Sequence, residues 1–407
     1  MTTIDLVYFN AGGGHKASAV ALQAAIHHAG VPWQVRLVNL FEVLDPQDAF
    51  HRFTGMRPED YYNKRLATGW TLGLAQELKV LQAMIRLGHP TLVRRLQQHW
   101  LRTEPDMVVS LVPNFNRAMC EALATALPGV PYVTVLTDLA DHPPHFWIEP
   151  GQHQHFICGS ARAVEQALAL GHPAERVHAS SGMVIRPEFY RPPSTDQPNP
   201  ADDAARAARR QQLGLDPQRP TGLVMFGGHG AAVMERIARA LDDVPLVLVC
   251  GHNQRLAQRL RALPASAPRV VLGFCSELAQ HMQLCDFFIG KPGPGSLSEA
   301  VQQGLPVIVV RNALTLPQER YNAQWVLENR VGLVLPSFRF IAKAVAEITT
   351  RLGDYRANTA RLNNRAVFEI PVMLAGILEA AQRAPAGPTQ PTQPTEPPAH
   401  RLSALAG

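Results

Sequence analysis

At 407 residues, 46% of them hydrophobic, the chain exceeds one ordinary domain and carries apolar content for two cores. Its formal charge of +5, with no basic motif interleaved with aromatics, suits an anionic membrane or a phosphate ligand and does not argue for nucleic acid. No run of 18 apolar residues occurs, and the first residues lack the basic-then-apolar order of a signal peptide, so a cytoplasmic or peripherally attached protein is expected. The five cysteines form no CxxC pair and read as buried free thiols.

Residues 4–9 read as a strand, and Asn10-Ala11-Gly12-Gly13-Gly14-His15-Lys16-Ala17-Ser18 as a glycine-rich turn opening a helix over 19–28. Gly12-x-Gly14-x-x-Ala17 fits the dinucleotide fingerprint only loosely, because no acidic residue clearly closes the second strand at 35–40; nor do the glycines form a Walker A loop. His15 stands at the mouth of the turn. There an imidazole can act as a base near neutral pH, or simply bind a backbone group at the helix start.

The stretch 54–104 departs from the strand–helix rhythm and carries eight Lys/Arg against four Asp/Glu. Leu74, Leu78, Leu81 and Ile85 recur at helical spacing; Gly88-His89-Pro90 is expected to break the helix; and Leu92, Val93, Leu96 and Trp100 repeat the pattern. A basic amphipathic helix can lie on an anionic membrane, with Lys64, Lys79, Arg86, Arg94 and Arg95 toward the headgroups, or it can pack its apolar face on the core.

Residues 106–112 and 130–136 have the β-branched content of buried parallel strands. The second delivers Thr137-Asp138 and then Asp141-His142-Pro143-Pro144-His145-Phe146-Trp147 to a strand's carboxyl end, where open α/β sheets place their ligand sites. Asp138 is a cleft residue or a turn former. His142, His145, His153 and His155 match no zinc spacing, and no metal is expected.

Residues 191–205, rich in Pro, Asp and Ser in their first part, read as a linker between a first domain at 1–190 and a second at 206–383. The second restarts the rhythm: a strand at 221–226, the turn Gly227-Gly228-His229-Gly230, and a helix from Val233 to Leu241. Further strands are expected at 244–250, 270–272, 285–289, 305–310 and 331–335. Lys291-Pro292-Gly293-Pro294-Gly295-Ser296-Leu297-Ser298-Glu299-Ala300 follows one of them as a strand-to-helix turn whose unpaired N–H groups can dock an anion. Gly228-His229-Gly230 is a second such cradle, and Gln318 and Glu319 can hold sugar hydroxyls or stand at an exposed helix start. Residues 356–382 are expected to be helical with a break at Pro371, and 384–407, with six prolines, to be a disordered tail.

With both glycine turns and the 291–300 stretch in hand, the chain resembles the GT-B glycosyltransferases of the monogalactosyldiacylglycerol (MGDG) synthase and processive diacylglycerol glucosyltransferase group, related to MurG-type enzymes. The resemblance spans about residues 4–380 and also rests on Thr137-Asp138 with His142-Pro143, Arg186-Pro187, Gly273-Phe274 and Pro317-Gln318-Glu319. It departs at Pro292, usually Ala, and at His229, usually Gly. The resemblance implies two Rossmann-like α/β domains facing across a cleft and a UDP-sugar donor bound by the second domain. It also implies a lipid acceptor, typically diacylglycerol, presented to the first domain at an anionic membrane surface, with no cofactor. In that frame His15 is the base, with Asp138 as alternative base or orienting group, and Gly13 and Gly14 belong to the acceptor-side loop. Gly227, Gly228, Gly230, Gly293, Gly295 and Ser296 stabilise the leaving UDP, Glu299 holds the ribose, and Gln318 and Glu319 hold the donor sugar. A MurG-like acceptor, a UDP-sugar 2-epimerase and a non-catalytic binding module are the rival readings.

Overall fold

The computed structural model describes residues 1–10, 13–47, 51–52, 55, 74–190 and 200–383. The expected tail, Gly12, Lys64 and most of the linker lie outside the described residues.

The first domain is built on β1 (Thr2–Tyr8), β2 (Trp33–Asn39), β3 (Met107–Ser110), β4 (Tyr132–Val135), β5 (His155–Cys158) and β6 (Val177–Ala179). All pair in parallel, in the order β2-β1-β3-β4-β5-β6. The second domain holds β7 (Gly222–Met225), β8 (Leu246–Val249), β9 (Arg269–Leu272), β10 (Phe287–Gly290), β11 (Val307–Val310) and β12 (Gly332–Leu335), again parallel, in the order β12-β11-β10-β7-β8-β9. Strands β3, β4, β7, β8, β10 and β11 are buried at every position, because helices cover both faces of each sheet and leave no solvent side for alternation. Each fully buried Val, Leu or Ile contributes roughly 1.5–3 kcal/mol, so these short runs anchor both cores.

Several expectations change in the structure. The first helix, Gly14–His28, begins five residues earlier than the apolar pattern suggests, because Gly13, at φ 79°, takes the left-handed conformation that turns the chain into it. Pro90 does not break the helix Leu74–Thr103; it lies inside it. The packing of Leu92, Val93, Leu96 and Trp100 against the first domain's core carries the helix through the missing N–H. Pro371 likewise sits inside the helix Ala366–Arg383, and the interruption falls after the helix Leu352–Ala360 instead. Residues 200–205, assigned to the linker, belong to the helix Pro200–Gln212, which is bound to the second domain through Arg206 and Arg210.

The last helix crosses back. Val367, Ile370, Leu374 and Leu378 pack with Ile4, Leu22 and Ile26 in the first domain's core. Met183, Ile185 and Phe189, at the end of the first domain, pack in turn with the second sheet. The two sheets are thereby held with their carboxyl ends facing one cavity of about 2240 Å³.

Candidate active site

Each sheet reverses direction at one place, and both reversals open on this cavity. In the second sheet β7 and β10 are neighbours, with Met225 opposite Gly290, and the chain progresses outward from each in opposite directions. The crevice beyond the carboxyl ends of such a pair is where open α/β sheets bind ligands. The turn Gly227–Gly230 leaves β7 and the turn Lys291–Ser296 leaves β10, so the two amide-rich turns are side by side. Gly290 permits this: a β-carbon there would lie 2.5 Å from the Met225 carbonyl oxygen.

The helix Pro294–Gln302 starts with Gly293 as its cap and Pro294 in its first turn. Pro294 has no N–H, so Gly295 and Ser296 supply the first amides that have no preceding helical carbonyl. The other turn does not open directly into a helix, since the helix Val233–Ala240 begins three residues beyond Gly230. Glu299, half-buried on the next turn, has its carboxyl pushed up to about 7 by burial, against the pull of the Arg186 charge and with a push from Glu188. Glu319 is buried and its Oε1 accepts a 2.6 Å hydrogen bond from Lys291 Nζ.

On the facing wall His15 occupies the first turn of Gly14–His28, with Nδ1 3.0 Å from Thr137 Oγ1 beyond β4. Desolvation pushes the imidazole down to about 4, opposed by a hydrogen bond with the Leu111 backbone. The positive end of the helix dipole acts in the same direction as burial. His15 is therefore neutral at physiological pH. Asp138 does not touch it through a hydrogen bond; its Oδ2 accepts from Trp147 Nε1 at 2.9 Å. The orienting contact expected of Asp138 is supplied by Thr137. Burial pushes Asp138 up to about 7; the Trp147 bond and Lys291 lower it, while Glu319 and Asp141 raise it. Asp141 in turn accepts the backbone N–H groups of His145 and Trp147 at 2.9 and 2.6 Å, fixing the buried indole 6.0 Å from the His15 ring.

The cavity is lined by Gly13, Gly14, His15 and Asp138 on one side and by Gly227, Gly228, Gly230, Gly293, Gly295, Ser296, Glu299, Gln318 and Glu319 on the other. Lys79, Arg86, Arg94 and Arg95 do not line it; all four are exposed, and Arg95 donates to the Leu44 carbonyl. Thr137, Arg186 and Lys291, which the motifs contain without an assigned role, also line the cavity, as does the apolar rim Val80, Leu81 and Met84, of which patterning missed Val80 and Met84. That rim continues to Leu87, 85% exposed, at helical spacing along Leu74–Thr103. Leu81 shares the helical spacing of Leu74, Leu78 and Ile85, and periodicity does not tell an apolar residue facing a core or a membrane from one facing a cleft. Among the described residues no helix is long and apolar enough to cross a membrane.

The chain is similar in sequence to monogalactosyldiacylglycerol synthase 1 of Arabidopsis thaliana, with 28% identity over 358 residues, 83% of this chain and 62% of the relative. The corresponding protein of Glycine max gives 29% over 358 residues, 83% and 63%. The chain thus spans a little over three fifths of the length of these relatives. No protein-family model matches it. Among solved structures it shares its fold with MurG of Acinetobacter baumannii at a TM-score of 0.56 and 14% identity, covering 92% of this chain and 99% of that one. The UDP-GlcNAc 2-epimerase of Neisseria meningitidis bound to UDP-GlcNAc gives 0.55 and 13%, covering 93% and 100%. The glycosyltransferase SsfS6 of Streptomyces sp. SF2575, complexed with thymidine diphosphate, gives 0.54 and 16%, covering 94% and 100%. The fold is GT-B.

Proposed function

We propose that this chain is a glycosyltransferase that moves a hexose, galactose or glucose, from a UDP-sugar to a membrane lipid, with diacylglycerol the preferred acceptor, and that it works on the cytoplasmic face of a membrane. The observation that carries the reading is one cleft with His15 and Asp138 on one wall, two amide-rich turns on the other, and an exposed apolar helix face at its mouth. A UDP-sugar 2-epimerase has no use for the apolar rim, and a binding module has none for His15. The relatives' name supplies the lipid class.

The mechanism follows from the residues. In the tautomer that carries its proton on Nδ1, 3.0 Å from Thr137 Oγ1, the other ring nitrogen of His15 keeps a lone pair for the acceptor hydroxyl's proton. The acceptor oxygen attacks the anomeric carbon as the bond to UDP breaks, in one displacement that inverts the centre. The amides of Gly295 and Ser296 and the Gly228–Gly230 turn face the charge that develops on the diphosphate. Glu299 binds the ribose, and Gln318 and Glu319 the sugar. Incubating the protein with separate UDP-sugars and diacylglycerol liposomes, and identifying lipid products by mass spectrometry, tests the reading; no glycolipid with any donor overturns it.

Two narrower outcomes are expected. Glu299→Ala should weaken UDP binding about tenfold by calorimetry, the scale of one hydrogen bond to a charged group. Equal affinity in the variant would remove Glu299 from the ribose. Met84→Asp with Leu87→Asp should lower partitioning into anionic liposomes by at least about tenfold, since each buried side chain of this size contributes roughly 1.5–3 kcal/mol. Undiminished sedimentation with the vesicles would sink the role given to this helix face.

A further inference from the structure

We infer that Lys291 is the cation that takes up the charge of the departing diphosphate, and that Glu319 holds it in position. The inference rests on the reading of the cleft as a nucleotide-sugar site. Lys291 leaves β10 at the reversal of the second sheet. A methyl group at Gly227 would lie 3.8 Å from Lys291 Cε, and one at Gly293 would lie 3.3 Å from it. The end of the lysine therefore stands between the two amide-rich turns. Glu319 fixes it there: its carboxylate is only 7% exposed against 35% for the lysine, and the pair is 2.6 Å apart. Across the cleft the charge of Lys291 acts on Asp138, in opposition to that of Glu319.

Magnitudes argue for a full cation at this point. A helix start presents about half an elementary charge. Only the helix Pro294–Gln302 begins at its turn, whereas the other helix starts at Val233, beyond Gly230. When the acceptor oxygen bonds to the anomeric carbon and its proton passes to the His15 imidazole, the anomeric C–O bond breaks. Its electron pair stays on the β-phosphate oxygen, adding about one negative charge. One helix start leaves part of that charge unmet. A lysine, a compact charge on a flexible stem, can turn from the Glu319 carboxylate toward it.

The test uses the full chain, titrated calorimetrically with UDP and with uridine, alongside the glycosyl-transfer assay. Lys291→Met is expected to lose about 30-fold in UDP affinity and about 100-fold in turnover, the scale of one oriented donor at developing charge, with uridine affinity retained. Lys291→Arg should recover part of both losses. Because Lys291→Met leaves the buried Glu319 unpaired, Lys291→Met with Glu319→Gln removes the same charge without an orphan carboxylate, and the same losses are expected. UDP affinity equal to wild type in the double variant would overturn the role of Lys291 alone, since turnover in that variant also carries the loss of the Glu319 contact to the sugar. Failure of the wild-type protein to bind UDP overturns the reading of the cleft itself, and that titration precedes every variant.

Discussion

His15→Ala should lower turnover about 1,000-fold, within the range of a lost general base, while UDP affinity stays at the wild-type level. The split follows from geometry. His15 is set by the turn at Gly13 and by Thr137, both in the first domain, whereas the amide-rich turns that would face the diphosphate belong to the second. Loss of UDP binding in step with turnover would show instead that His15 shapes the cleft. The pH dependence separates His15 from its alternative. A base works deprotonated, so kcat/KM falls as the pH drops through the base's pKa in the free enzyme. Burial puts His15 at about 4 and Asp138 at about 7. In a Glu299→Gln background, which removes the other cleft carboxyl near 7, kcat/KM should hold nearly level from pH 7 down to about pH 5 with His15 as the base; an acidic limb near pH 7 there would assign the role to Asp138.

Strand–turn–helix order was legible in the chain because parallel strands covered on both faces are written as short apolar runs ended by glycine. Gly13, Gly227 and Gly293 each mark such an end, and all three line the cleft. What patterning could not supply was the partner of each side chain. Thr137 rather than Asp138 meets His15, and Lys291 meets Glu319 across 28 residues of sequence. Helix ends were misplaced where tertiary packing overrides local preference. Pro90 and Pro371 lie within helices that are held by Leu96 and Trp100 in one case and by Ile370 and Leu374 in the other. The return of the last helix to the first domain has no signature in its own residues, since its apolar face would serve either sheet equally well.

Asp286→Ala should cost about 3–5 kcal/mol of stability, the scale set by orphaning a buried charge. Asp286 is 5% exposed and immediately precedes β10. Its Oδ1 accepts from Arg206 Nη2 at 2.9 Å and Arg356 Nη2 at 2.7 Å; its Oδ2 accepts from Arg210 and from the Thr221 amide. These donors come from the helix Pro200–Gln212, from the start of β7 and from the helix Leu352–Ala360, so one carboxylate ties three segments to the strand that carries the Lys291 turn. The three guanidinium groups do not contribute equally. Arg206 and Arg356 are 31% and 42% exposed, and solvent screens such pairs to about 1 kcal/mol or less. Arg210 is 3% exposed, and without Asp286 it becomes a buried cation with no counter-charge. Burial raises the Asp286 pKa, but the Arg206 charge, the Thr221 N–H and Arg210 outweigh it, and the result lies below 3.8. A carboxylate depressed in the folded state contributes stability that is complete above its unfolded value and is lost as the pH falls through its folded one. Urea denaturation at pH 7 should therefore show the full deficit in Asp286→Ala, and the gap to wild type should narrow only below about pH 4. A deficit under about 1 kcal/mol at pH 7 would mean that Arg210 finds water or another acceptor, and that the second domain does not depend on this carboxylate.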